Sequence, residues 1–378
     1  MQWKKEMIIN NKIYVFLLFI FFFEFFCSGI IKGQDFEFHG QASAWGTGID
    51  LNGEWNKNIG IRYIPQINYS YSFDENNLLN GEVLLNTYYN SDFNSDDYNI
   101  KLYRGIIRYT TTQSETQVGL QKINFGPAQL LRTLMWFDSV DPRDPLKLTD
   151  GVYGIRYKYS FINNSIFWVW GLYGNDKPKG FEVNATAKDN PEFGGRYQFQ
   201  VPAGEAGATV HTREVKAGSF SYRENRYALD GRWDIGIGAW FESLLQQSQT
   251  NLMPFQWNKM ITVGGDYTFG IGTGIYFLVE NMTSIASVKI MGNNIDRNVS
   301  AMMATYPISV LDNLSVQGYY DWQGKNIYQY YQWQRTYDNV IINLGLFHYP
   351  ESGTNIFPGS STIPAAGYGF QLMLIYNY

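Results

Sequence analysis

Alternation of apolar with polar or small residues recurs along most of the chain and limits what it can fold into. Tyr153, Ile155 and Tyr157, for example, share one parity and alternate with Gly154 and Arg156. Similar segments lie at 61–73, 193–201, 226–233, 257–269, 314–322, 340–346 and 368–378. A repeat of two residues is typical of strands whose two faces meet different environments, whereas an amphipathic helix repeats every three or four residues. The pattern therefore predicts an all-β protein.

Turn signals divide the chain into about eighteen such segments, an even number as in single-chain outer-membrane barrels. Short turns alternate with longer polar connections, and only the tight link at Gly324-Lys325 departs from this order. The longer connections lie at 50–58, 91–97, 126–150, 175–190, 213–225, 248–254, 283–296 and 349–365. We expect an antiparallel transmembrane β-barrel of about 18 strands, or 16 if a strand has been divided in error, because strand boundaries are the hardest feature to predict.

The composition favours a membrane barrel over a soluble β-sandwich. Only 17% of the residues are charged and 45% are hydrophobic, with 29 Tyr and 11 Trp. A soluble sandwich needs a polar outer face, whereas a membrane barrel places apolar side chains outside and Tyr and Trp at the two lipid–water boundaries. A spanning sheet must also close, since lipid cannot satisfy an open edge. The alternative is a secreted soluble barrel or solenoid.

The first 33 residues differ from the rest and predict a secretory signal peptide. Lys4, Lys5 and Lys12 precede an apolar run at 13–27 that only Glu24 interrupts. Such a basic start and apolar centre are typical of signal peptides. An uncleaved anchor is the alternative, although the run is short against the ~20 residues of a spanning helix. We expect 34–378 to form the barrel.

Several classes of function are disfavoured by the residue counts. One Cys and three His exclude a disulfide scaffold and leave little for a metal centre, and a net charge of −5 argues against a nucleic-acid partner. His39, His211 and His348 show no recognisable pattern with a nucleophile, so we expect no enzyme activity, catalytic residue, cofactor or metal site. A Ca²⁺ site at Asp92, Asp96 and Asp97 is the open alternative, but an acidic surface loop explains these residues equally well.

The chain resembles the outer-membrane porins of Gram-negative bacteria, on its strand and turn pattern and on its last residues, Tyr376-Asn377-Tyr378. The stretches 119–127 and 141–145 are similar to the third-loop region of porin-like and alginate-export-like proteins, whose loop folds into the barrel. This resemblance implies an outer-membrane location, contact with outer-membrane lipid and a passive channel for small hydrophilic solutes. It also implies that the barrel-assembly machinery reads the last strand, where Tyr378 replaces the usual Phe.

If the apolar parity faces lipid, the other parity lines a pore. The inward cations then lie on strands that run in one direction and share one wall; they are Arg62, Arg104, Arg108, Arg156, Lys158, Arg196, Arg226 and Arg232. Such a wall could favour anionic solutes. Alternatively, these cations only solvate the lumen and pair with nearby acids.

The connection at 126–150 is predicted to fold inward, because its apolar segment at 128–137 would be costly to expose to water. That segment can form a short helix, which Pro142 and Pro145 would end. Five charged residues would then face the arginine wall in a constriction: Arg132, Asp138, Asp141, Arg143 and Asp144. The alternatives are a plug without a role in selection, and a barrel that serves a structural or export-accessory function without conducting.

Overall fold

The computed structural model describes residues 34–51, 53–92, 95–350, 356–357 and 366–378. The predicted signal peptide at 1–33 lies outside the described residues, as do the side chains of Asp92 and Asp96 in the suggested Ca²⁺ site. Among the described residues, no helix is long and apolar enough to cross a membrane.

Eighteen strands account for most of this part of the chain. They are β1 (Gln34–Leu51), β2 (Glu54–Ser72), β3 (Leu78–Asp92), β4 (Ser95–Thr110), β5 (Ser114–Gln121), β6 (Val152–Ser160), β7 (Ile166–Leu172), β8 (Glu192–Val201), β9 (Gly204–Ala217), β10 (Phe220–Asp234), β11 (Gly238–Ser248), β12 (Trp257–Phe269), β13 (Ile275–Ser287), β14 (Ile295–Pro307), β15 (Asp312–Asp321), β16 (Asn326–Thr336), β17 (Val340–Tyr349) and β18 (Gly367–Asn377).

The strands form one closed antiparallel barrel, which confirms the predicted fold class and the count of 18. Each strand pairs with its neighbours in sequence, and β18 pairs with β1 in the register Met373↔Trp45. Closure leaves no open sheet edge, as a structure within lipid requires.

The apolar parity faces outward, as predicted. On β18, Tyr368, Phe370 and Leu372 are 47%, 45% and 46% exposed, whereas Met373 and Gln371 on the opposite parity are buried. Because this outer face lacks the charge that water would require, it is suited to contact with lipid.

Three predicted long connections are wrong, because the strands continue through them. Strand pairing extends to Leu51↔Glu54, Asp92↔Ser95 and Ala217↔Phe220, which leaves only short turns at these places. The polar residues at these places are typical of loops. Backbone hydrogen bonds between paired strands do not need apolar side chains, so each hairpin extends beyond the apolar band of the barrel. We call the end of the barrel that carries the remaining long connections the long-loop end, and the opposite end the short-turn end.

Candidate functional site: the lumen and its inward-folded loop

The connection between β5 and β6, residues 122–151, folds inside the barrel, and we call it the lumen loop. Ile123, Leu131 and Leu134 on this loop are 0%, 1% and 1% exposed. They belong to one buried cluster with inward residues of later strands, among them Trp170, Leu278 and Tyr319. This part of the lumen is therefore a dry core and not a polar wall.

The predicted helix at 128–137 is absent, because the backbone amides of this segment bond to two carboxylates on the barrel wall. Glu280 accepts hydrogen bonds from the N–H groups of Gln129, Leu130 and Leu131 at 2.7, 2.9 and 2.6 Å. Glu242 accepts from Ala128 and Leu134 at 2.9 and 3.0 Å. Charge-assisted bonds of this kind are stronger than the helical bonds between neutral groups that they replace.

Gly126 allows the loop to approach Glu242 closely. Its φ is +91°, and a Cβ at this position would lie 2.2 Å from Oε1 of Glu242. Only glycine adopts this conformation readily and leaves the carboxylate in place.

Further contacts fix the loop around almost the whole circumference. Leu146 packs against inward residues of β1 and β18, and Leu148 packs against the buried cluster of β2, β3 and β4. On the opposite side, the Thr133 and Thr262 hydroxyls are 2.8 Å apart. The lumen loop therefore divides the barrel interior.

Arg104 holds the returning end of the loop. Its guanidinium donates to the carbonyl of Thr149 at 2.8 Å, and the Tyr103 hydroxyl accepts from the Thr149 N–H at 3.1 Å. Both side chains face inward, because the β3–β4 register shifts between Leu84 and Leu85 and leaves Tyr103 without a partner. Bulges of this kind commonly redirect side chains at functional sites.

Four of the five predicted constriction residues pair within the loop. Arg132 bonds both oxygens of Asp138 at 2.9 and 3.1 Å, and Arg143 bonds both oxygens of Asp141. The Arg143 guanidinium also lies 3.4 Å from the ring centre of Phe357. Burial alone would lower the pKa of Arg143, but the Asp141 carboxylate outweighs it and holds the pKa above its ordinary value.

Asp144 is the fifth of these residues and forms none of the ion pairs among the described side chains. Burial raises its pKa above the ordinary value, although the Leu146 N–H and the charge of Arg62 act in the opposite direction. The role of these five residues in a constriction stays a prediction.

The predicted cations all lie on β2, β4, β6, β8 and β10, and most have an acidic partner close by. Arg196 bonds both oxygens of Asp230 at 2.5 and 2.8 Å. The other pairs are Arg156–Glu115 at 2.8 Å, Arg226–Glu224 at 2.7 Å, Arg226–Glu182 at 2.6 Å, Arg108–Glu115 at 3.8 Å and Arg232–Asp266 at 3.8 Å. Arg62 lies over Trp45 and Tyr88, and Lys158 lies over Trp168.

Sequence reasoning missed a buried group of four charges beside this wall. Arg213 bonds Glu182 at 2.9 Å and Glu224 at 2.8 Å, and both acids also bond Arg226. Arg213 and Glu224 share the inward parity of β9 and β10, which could have revealed them had 213–225 not been assigned to a loop. Glu182 lies in the β7–β8 connection and gave no signal.

A second group of charges surrounds Asp150 at the returning end of the lumen loop. The Lys101 and Lys177 ammonium groups lie 2.5 and 3.7 Å from its carboxylate, and Lys179 donates to its carbonyl at 3.1 Å. These lysines lower the pKa of Asp150, although burial acts in the opposite direction. Three ammonium groups around one carboxylate leave an excess of positive charge.

The histidines lie on different parts of the barrel. His211 is buried, accepts from the Trp170 indole at 3.3 Å and contacts Glu192 at 3.3 Å, while His39 is on β1 and His348 is exposed on β17. Within the described ranges, no group of three or more potential metal-ligating side chains is found.

No protein-family model matches the chain, and no curated protein matches it in sequence. Solved structures do match its fold. Acinetobacter baumannii OccAB4 is 9% identical with a TM-score of 0.59, covering 92% of this chain and 98% of that one. Pseudomonas aeruginosa OccD3 is 10% identical with a TM-score of 0.58, covering 93% and 92%. Salmonella typhi OmpF in complex with daunomycin is 10% identical with a TM-score of 0.52, covering 92% and 98%.

These neighbours are outer-membrane proteins of Gram-negative bacteria, and two independent features of this chain agree with the match. The barrel has an apolar outer face, and a long loop from one end folds into its lumen. The alginate-export part of the sequence resemblance stays a prediction. The chain is thus a transmembrane β-barrel with the fold of the Gram-negative outer-membrane porins.

Proposed function

We propose that the protein is a porin-like outer-membrane channel for the passive diffusion of small hydrophilic solutes. The observation that carries this proposal is the charged and polar wall of β2 to β10, which lines the inside of a closed barrel whose outer face is apolar. Charged side chains at a lumen surface keep a path hydrated, and a loop folded into that path restricts the size of what passes.

A non-conducting barrel with a structural or export-accessory role is the second candidate. It is favoured by the contacts of the lumen loop with almost every part of the wall and by the dry aromatic core around Trp136 and Phe137. In that case the loop would act as a plug.

Liposome swelling separates the two candidates. Vesicles that contain the purified protein should swell in sugars, amino acids and phosphate, at rates that fall with solute size. Swelling in uronic-acid oligomers should be slower still, because the lumen loop restricts the size of the path. Swelling no faster than in protein-free vesicles would favour the non-conducting barrel.

We further propose that the passage favours anions. The support is the excess of positive charge around Asp150, together with Arg62, which forms no ion pair with any of the described side chains. Guanidinium and ammonium groups attract carboxylate and phosphate, and the effect is strong only within about 8 Å at physiological salt.

Reversal potentials test this selectivity. Arg104→Ala combined with Arg156→Ala should shift the reversal potential toward cations at low salt, because Glu115 then loses its partner at 2.8 Å. Adding Glu115→Gln should reverse part of the shift. Lys325→Ala, in a turn at the long-loop end, should cause no shift. An unchanged reversal potential in the double variant would mean that these arginines are structural.

For assembly, we propose that the barrel-assembly machinery recognises the last strand. The Tyr378 backbone forms two hydrogen bonds with Gly40, and its hydroxyl donates to the Tyr63 hydroxyl at 2.7 Å. The end of β18 is therefore part of the seam that closes the barrel.

A further inference from the structure

A cavity of about 250 Å³ lies inside the barrel at its long-loop end, against the lumen loop at 133–136. Its walls come from inward residues of β10, β11 and β12 and from connections at 181–184 and 253–255. Small-molecule sites begin at about 300 Å³, so the cavity is sized for one small ring.

The charges that line the cavity satisfy one another. Arg213 and Arg226 each bond both Glu182 and Glu224, at 2.6 to 2.9 Å. Two cations and two carboxylates sum to zero, and each carboxylate already accepts from both guanidinium groups. Because an ionic ligand would have to break these buried pairs at a large cost, the lining favours an uncharged ligand.

A neighbouring pair of amides offers free hydrogen-bonding atoms. Gln246 and Asn258 are directly opposite on β11 and β12, and both are half-buried on the inward parity. Gln246 uses its Nε2 to bond Glu224 at 2.8 Å, and Asn258 uses its Oδ1 to accept from Ser284 at 3.3 Å. Within the part of the chain that the structure describes, Oε1 of Gln246 and Nδ2 of Asn258 have no partner. One acceptor beside one donor matches two adjacent hydroxyls.

Aromatic rings on the two connections supply an apolar face. Phe181 is 36% exposed and Phe255 is half-buried, although both lie in connections where polar residues are usual. Val183, which also lines the cavity, is 88% exposed. Exposed apolar groups that rim a cavity commonly mark a binding site.

We propose that this cavity binds a single ring of a neutral sugar. The C–H face of the ring packs against Phe181 or Phe255, and adjacent hydroxyls bond the free atoms of Gln246 and Asn258. The inference names a solute class for the proposed channel and so rests on that function.

Isothermal titration calorimetry on the detergent-solubilised barrel tests the proposal, with D-glucose and D-galactose as probes and sodium gluconate as the anionic control. We expect saturable, millimolar binding of at least one hexose. Gln246→Ala with Asn258→Ala should weaken it about tenfold or more, the loss of two hydrogen bonds. Phe255→Leu, which keeps an apolar side chain but removes the ring, should also weaken it. Trp322→Ala, which removes an exposed ring at the same end outside the cavity, should leave it unchanged.

Three results would overturn the proposal: no hexose binding by the folded protein, gluconate binding tighter than glucose, or equal binding by wild type and the cavity variants. Calorimetry does not require an open path through the barrel. A protein that conducts without binding hexoses contradicts the sugar site alone, whereas one that binds hexoses without conducting contradicts the channel alone.

Discussion

Glu280 accepts more backbone amides of the lumen loop than the second wall carboxylate, Glu242, does. It is 3% exposed and accepts three loop amides as well as the Trp240 indole at 3.1 Å. A buried carboxylate is costly unless its oxygens are bonded, and buried amides are costly unless they find an acceptor. The hydrogen bonds between the Glu280 carboxylate and the loop amides therefore offset the cost of burying both groups.

Glu280→Ala should lower the free energy of unfolding by about 1–3 kcal/mol for each buried donor left without an acceptor, although such losses do not simply add. Hydrogen exchange at the amides of 129–131 should rise in the same variant. Glu205→Ala is the matched control, since Glu205 is exposed and bonds only Gln198 among the described side chains. Unchanged exchange at 129–131 would show that Glu280 does not hold the loop.

At this scale, the sequence predicted which charged residues face inward but not what they bond. The parity of Arg196 and Arg226 follows from their apolar neighbours Tyr197 and Tyr227. Their partners could not be predicted, because Asp230 and Glu182 lie 34 and 44 residues away in sequence. Asp230 meets Arg196 only once β8, β9 and β10 pair, and Glu182 meets Arg226 only through the path of the β7–β8 connection.

At the scale of elements, the lumen loop is held as a fixed part of the barrel. Carboxylates on β11 and β13, a hydroxyl on β12 and an arginine on β4 all bond it. A short helix agreed with the local sequence at 128–137, but acceptors more than a hundred residues away compete for its amides. Tertiary bonding of this kind overrides local helix propensity.

A disulfide tests whether the loop moves during conduction. The Thr133 and Thr262 hydroxyls are 2.8 Å apart, so Thr133→Cys with Thr262→Cys should form a bond of about 2.05 Å after a small adjustment. Conductance should be the same under oxidising and reducing conditions, because the loop already occupies this position. A fall in conductance on oxidation, absent from either single variant, would show that the loop must leave the wall for solutes to pass.

At the scale of the whole molecule, periodicity was sufficient to predict a closed barrel of 18 strands, since alternation and turn order are repeated along the chain. It could not predict that part of the lumen is dry. Trp240, Tyr319 and Tyr349 are buried on the inward side, where a porin wall is expected to be polar. They are apolar because the lumen loop covers this side, and the path of a loop is not encoded in the alternation of strands.

The central claim is that the barrel conducts through a lumen that its loop narrows. Single-channel recording in planar bilayers tests it most directly, with wild-type protein and a variant that lacks residues 129–146. We predict discrete conductance steps for the wild type and larger steps for the variant, because the deletion removes the segment that lies across the lumen. A silent wild type, or steps of equal size in the two proteins, would contradict the account.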